Sequence, residues 1–471
     1  MSRTETAPRP DLALALALGL GLARKLTLGL GLCLAFALAA PPVAAQTQEA
    51  AAPVLAAAPQ VFAIVGATVH TLGEGGVMED ATVLVRDGRI DAVGFGLAVP
   101  AGASVLDARG KVVTPGFFDS TSQLGLVEVG AVSGSRDART EDDRVTAAFR
   151  VGDAINPGSS LLPVARVEGI TRALVLPGPG SSLIAGQGAI IHLGGEPGDG
   201  LEAVLVREPA AMYVAFGERG AGLAGGSRGA ALLQLREALD DARDFAVHRD
   251  AYDRGDRRGY ALSRLDLEAL APVISGDLPL VVTADRASDL LTLLRLGRQY
   301  PDLDLVISGA AEGWLVADEL AAAGVPVLLS ALANLPASFE TLGATLANAG
   351  RLHRAGVNLA FMSGSAHGSR NLRQDAGNAV AHGLPWEAAL AALTTAPAEI
   401  WGIADSYGRI APGYDADLVI WDGDPLELTS YPEHVFIRGE EMPQESRQLL
   451  LRDRYLDLPK EGERSPAYRR P

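Results

Sequence analysis

Between residues 170 and 393, short aliphatic runs alternate with runs of helical spacing, and this alternation narrows the choice of fold more than any other feature of the chain. Ile170 to Leu176, Pro279 to Thr283, Leu303 to Ser308, Val325 to Leu329 and Val357 to Met362 are short and largely apolar, as strands buried on both faces must be. Leu290 to Leu296, Leu315 to Ala322 and Trp386 to Leu393 come after several of them with apolar residues at helical spacing. Strand, helix, strand in this order is the signature of a parallel sheet with its helices outside. A chain of 471 residues then holds either one large α/β barrel or two to three ordinary domains. Its composition, 48% hydrophobic with only 5% aromatic residues, fits a large core of small aliphatic side chains.

Just ahead of this region lies Pro115-Gly116-Phe117-Phe118-Asp119-Ser120-Thr121-Ser122-Gln123. Pro-Gly turns the chain, and residues 117–123 are expected to run as a short strand with Asp119, Thr121 and Gln123 on one face. Val61 to Leu72 and Ala81 to Val93 are rich in Val, Ile, Ala and Thr, and Asp87-Gly88 supplies a tight hairpin, so a small antiparallel unit is expected there. At the other end, Gly408 to Asp422 reads as a turn leading into a strand.

These stretches together resemble the amidohydrolase superfamily, in particular its imidazolonepropionase-like metal-dependent hydrolases. In that family Pro-Gly, two apolar residues and Asp lead into His-x-His, and a Gly-x-Ile-x-x-Gly-x-x-Ala-Asp-Leu-Val segment returns the chain to its N-terminal β unit. Here the first is Pro115 to Gln123 and the second Gly408 to Val419. The resemblance implies an α/β fold, a (β/α)8 TIM-like barrel plus a small composite β-sandwich made from both ends of the chain. Residues 61–114 and 408–442 would form the sandwich and 115–407 the barrel, with an insertion over one mouth near 217–260 and a C-terminal tail at 443–471. It also implies an ancestral chemistry, hydrolysis of a C–N bond by a metal-activated water.

The positions that carry that chemistry in the family are altered in this chain. Thr121 and Gln123 stand where the first strand has its two histidines, Thr283 and Ser308 where strands five and six have one each, and Gly364 where strand eight has an aspartate. Hydroxyls and a carboxamide are poor ligands for zinc beside imidazole. The bridging lysine of binuclear members has no counterpart, because lysine occurs only at 25, 111 and 460. The expectation is a fold kept with its metal site given up and no cofactor, acting as a binding or structural partner of an intact homologue, of itself, or of a small molecule. The rival is an active hydrolase of amide, cyclic amide or peptide-like substrates. It would either hold zinc through rearranged ligands or work without metal, with Asp285 and His367 as an acid/base pair. Asp119, Arg286, Glu312, Trp314 and Arg370 are expected to line the mouth in either case.

The N-terminus bears on location. Arg24 and Lys25 precede the apolar run Leu26 to Ala40, and Val43-Ala44-Ala45 offers small side chains for cleavage before Gln46, the layout of a secretory leader over 1–45 with a linker over 46–60. The run falls short of the roughly 20 residues of a membrane span, so a periplasmic or secreted protein without a span after cleavage is expected. Cys33, the single cysteine, lies inside the leader, which leaves the mature chain without disulfides, zinc thiolates or a thiol nucleophile. A net charge of −17 speaks against nucleic acid as a partner, since two polyanions repel.

Overall fold

The structure, a computed structural model, describes residues 61–333 and 335–456; the expected leader with Cys33, the linker and the end of the tail lie outside them. The Val- and Ile-rich beginning of this span forms β1 (Val61–His70), β2 (Val77–Arg86), β3 (Arg89–Phe95), β4 (Ser104–Asp107) and β5 (Val112–Pro115). Asp87 and Gly88, with φ of 51° and 80°, make the expected tight turn between β2 and β3. Next come β6 (Phe117–Ser122), β7 (Ile170–Val175), β8 (Ile184–His192), β9 (Leu205–Ala215), β10 (Leu280–Ala284), β11 (Leu305–Gly309), β12 (Val327–Leu329) and β13 (Leu359–Phe361). The chain ends with β14 (Leu418–Trp421), β15 (Pro432–Ile437) and β16 (Glu440–Glu441).

Both ends of the chain share one sheet in the order β16-β15-β14-β5-β1-β2-β3, with β4 also paired to β1. β14 runs antiparallel to β5, and this pairing joins the two chain ends. β1 changes partner along its length, lying parallel to β4 over Phe62–Val65 and to β5 at Thr68–Val69. Its register against β2 shifts on either side of Ala67, and such irregularities bend a sheet. The sheet has its own core, which includes Ile64, Val83, Ile90, Leu418 and Ile420.

β6 to β13 form the second sheet, ordered β13 through β6 without a break. The Gly364 N–H donates to the Thr121 carbonyl at 2.9 Å and brings the two edges together. Each strand sends one apolar side chain to the interior: Phe118, Leu174, Ile190, Ala211, Val281, Val306, Leu328 and Ala360. Sequence neighbours such as Val282, Ile307, Leu329 and Phe361 belong to the layer between barrel and helices, as the two-residue period of a strand requires. One end of the interior is closed by Ala398, Trp401 and Tyr407.

One strand departs from the regular alternation. β8 runs antiparallel to both β7 and β9, with no α-helix between them and only a 3-10 turn at Leu201–Ala203 before β9. The connection from β7, residues 176–183, is too short for a parallel crossover, which needs about 10–12 residues or more, so its Gly-Pro-Gly sequence makes a reversal instead. The stretch 217–260 is helical. Gly217–Leu223 and Arg228–Asp253 lead through Arg264–Ile274 to β10, and Ala231, Leu235, Leu239, Ala242 and Phe245 pack into the barrel–helix layer. Beyond the last strand, Arg447–Leu456 is a helix with no buried residue.

The sheet of the chain ends is clamped to the barrel by a buried ion network. Arg172, two residues before the interior Leu174 on β7, donates to Asp417 through Nε at 2.9 Å and to Asp415 through Nη2 at 2.6 Å. Its guanidinium stacks over the Tyr407 ring, 4.4 Å from the centroid, and the Tyr407 hydroxyl donates to the Gly116 carbonyl at 2.6 Å. The Ala-Asp-Leu-Val segment thus serves the junction between sheet and barrel.

Among the described residues, no helix is long and apolar enough to cross a membrane.

Candidate functional site

Two residues beyond the interior apolar ring, four of the parallel strands present their next inward side chain toward the C-terminal end, the end where barrels of this kind carry their sites. Ala211 is followed by Tyr213, Val281 by Thr283, Val306 by Ser308 and Ala360 by Met362. These groups satisfy one another. The Thr121 hydroxyl donates to the Met362 sulfur at 3.3 Å and the Ser308 hydroxyl to the same sulfur at 3.2 Å. Tyr213 Oη and Thr283 Oγ1 are 2.7 Å apart. Burial pushes the Tyr213 phenol above its ordinary pKa, so it stays neutral. The inner surface of the mouth is therefore hydroxyls around a thioether.

Asp119 sits behind this surface, fully buried. It accepts from the Ser363 N–H at 2.9 Å, the Ser363 hydroxyl at 2.5 Å and the Ser369 hydroxyl at 2.8 Å, and more weakly from the Thr121 N–H at 3.4 Å. Burial outweighs these donors and pushes its carboxyl up to about 6. It ties β6 to the turn after β13. Gly364 in that turn has φ of 66°, a conformation glycine adopts without strain. Gln123, past the end of β6, lines a separate cavity with Arg136, Arg139 and Arg219.

The remaining expected site residues do not converge. Asp285 accepts from the Ala311 N–H at 3.1 Å, and burial, aided by Glu340, Glu312 and Glu218, pushes its carboxyl up to about 6. His367 is exposed on the turn after β13, and among the described residues no hydrogen bond or ion pair joins it to Asp285. Arg286 pairs with Asp289 at 3.1 Å, and Asp289 in turn with Arg228 at 2.7 Å. Glu312 is buried and accepts from the Ala287 and Gly343 N–H groups at 3.0 and 2.8 Å, pinning a helix start and a loop. Trp314 donates its indole N–H to the Gly343 carbonyl at 2.8 Å and carries Arg351 over its ring. Arg370 is exposed.

This donor set does not fit a catalytic dication. Such a site needs about three imidazole, carboxylate or thiolate ligands around one point, and among the described residues no three His, Cys, Asp or Glu side chains are so placed. The hydroxyls at three of the substituted positions are already engaged with Met362 and Tyr213. Sequence reasoning singles out Asp119 but misses Met362 and the Ser363 and Ser369 partners of Asp119. The only sequence signal for Met362 is its parity with Ala360, and for Ser369 there is none.

Known proteins agree with this fold. The model of the amidohydrolase family matches residues 302–444. The amidohydrolase tasK of Hapsidospora irregularis is 27% identical over 366 residues, 72% of this chain but only 37% of its own length. An imidazolonepropionase of Mycolicibacterium smegmatis is 50% identical over a segment of 52 residues, 11% of this chain and 13% of that protein. Among solved structures, an amidohydrolase from Thermotoga maritima superposes with a TM-score of 0.74 at 27% identity, covering 82% of this chain and all of that one. With the motifs at both chain ends and the barrel between them, these matches support the amidohydrolase superfamily as the family this chain resembles in sequence and fold.

Proposed function

We propose that this protein is an exported member of the superfamily that has given up metal-dependent hydrolysis and binds a ligand or partner at its barrel mouth. The observation that carries this reading is the Met362 thioether, which takes both the Thr121 and the Ser308 hydroxyls. Two strands that would each present an imidazole are closed instead onto a soft, weakly accepting sulfur. A water cannot be brought to a pKa near 7 without a bound cation, so the mouth keeps the shape of a site without its nucleophile. A partner role is supported by the loop after β12, which leaves the large apolar side chains of Leu335, Phe339 and Leu342 exposed within eight residues of sequence.

The test is metal analysis of the purified protein, then a hydrolysis assay on simple amides and cyclic amides with and without chelator. We expect well under one equivalent of any transition metal and no chelator-sensitive turnover. One tightly held equivalent of zinc, with hydrolysis abolished by the chelator, returns the protein to the working hydrolases.

A further inference from the structure

The cavity beside Gln123 holds about 380 Å³, at the lower end of the range of small-molecule sites, roughly 300–1,000 Å³. Its walls are unusual for this chain. The protein as a whole carries 57 acidic against 40 basic residues, yet three arginines, Arg136, Arg139 and Arg219, line this one space with a single acidic residue, Glu141. Arg139 is neutralised by Glu141 at 2.9 Å. Arg219 is held by neutral groups only, its Nη2 donating to the Pro179 and Gly180 carbonyls at 3.2 and 3.3 Å. The Arg136 side chain makes no hydrogen bond or ion pair among the described residues, and neither does the Gln123 carboxamide. Two uncompensated cations therefore line this pocket of an acidic protein.

The backbone makes room for this arrangement. A Cβ on Gly178 would lie 3.0 Å from Gln123 Nε2, and one on Gly180 would collide with the Thr140 carbonyl oxygen. The loop after β7 thus needs glycine at 180 to pack against the segment that carries Arg136 and Arg139. The carboxylates of the mouth are gathered elsewhere, where Asp285 feels Glu218, Glu312 and Glu340.

We propose that this pocket binds a small organic acid, its carboxylate on Arg136 and Arg219 and the Gln123 carboxamide supplying a neutral hydrogen-bonding group beside it. The planar guanidinium fork matches a carboxylate in geometry as well as charge. This assignment deepens the proposed ligand-binding role, placing the ligand in the cavity beside the mouth, and rests on that reading. Gln123, at a position that holds a metal-binding histidine in relatives with an intact site, becomes part of ligand recognition.

The test uses succinate, its neutral isostere succinamide and inorganic phosphate as probes in calorimetric titrations of the purified protein, with Arg136→Gln, Arg219→Gln and a distant control, Arg298→Gln. Arg136 and Arg219 are exposed, so their variants are expected to fold, which the thermal midpoint checks. Succinate should bind, succinamide should not, and each of the two arginine variants should weaken succinate by about tenfold, the usual size of one charge-assisted hydrogen bond. Arg298→Gln should leave the isotherm unchanged, and added salt should weaken binding. No succinate binding, equal binding by wild type and both variants, or equal binding of succinamide overturns the proposal. Arginine-dependent binding of phosphate in place of succinate overturns the carboxylate assignment. A metal-free preparation that binds nothing refutes the pocket alone. Zinc and turnover in the same preparation refute the loss of hydrolysis, and the succinate isotherm still decides the pocket.

Discussion

Asp119 is the residue whose substitution tests the structure most directly. Its carboxyl is fully buried, with four hydrogen-bond donors and no cation among its partners, and burial raises its pKa from an ordinary 3.8 to about 6. The folded protein therefore holds this proton over a range in which the unfolded chain has released it. Stability from that proton is fully present below about pH 4 and is lost as the pH rises through about 6. At about 1.4 kcal/mol per pKa unit, the change across the window is about 3 kcal/mol. Asp119→Asn removes the titration and keeps the shape. Its side-chain oxygen still accepts the Ser363 N–H, and the Ser363 hydroxyl has other acceptors in the Thr121 and Ser365 carbonyls at 3.2 and 2.9 Å. Urea unfolding of variant and wild type from about pH 4 to about pH 7.5 should therefore show their difference moving by about 3 kcal/mol in favour of the variant as the pH rises. Comparing the two at each pH cancels the contributions of Asp285 and Asp375, whose carboxyls burial also raises to about 6. A difference constant to within about 0.5 kcal/mol would refute the reasoning. It would mean that the four donors offset burial completely.

Two more outcomes are expected from the same geometry. Arg172→Met leaves Asp417 without its buried cation and Asp415 with only the more exposed Arg89, at 3.3 Å, at a site where the Arg172 side chain is 1% exposed. It should lower stability by about 3–5 kcal/mol in urea unfolding, and a loss under about 1 kcal/mol would remove the network from the junction between sheet and barrel. His367→Ala, at an exposed position, should change neither the thermal midpoint nor succinate binding, and loss of any measurable hydrolysis in that variant would restore an acid/base role for the histidine.

Most of the parallel barrel strands and their faces were legible in the sequence, because a buried parallel strand must be apolar throughout and its two-residue period assigns inside and outside. β8 and β9 were not, and the irregular register of β6 separates Asp119, Thr121 and Gln123, which were expected on one face. Val281 and Thr283, or Val306 and Ser308, are legible as inward pairs without coordinates. The joining of the two chain ends in one domain was legible as well, through the motifs at Pro115 and Gly408. What those inward side chains meet was decided only by closure of the barrel. Met362 reaches Thr121 across 241 positions of sequence and Ser308 across 54, Arg172 finds Asp417 across 245, and two arginines from the segment after β6 meet a third from the helix Gly217–Leu223 at one cavity with Gln123. Periodicity is a local property of the chain and says which way a residue points. The neighbour it finds there is set by how eight strands close around a common axis, which no local pattern records.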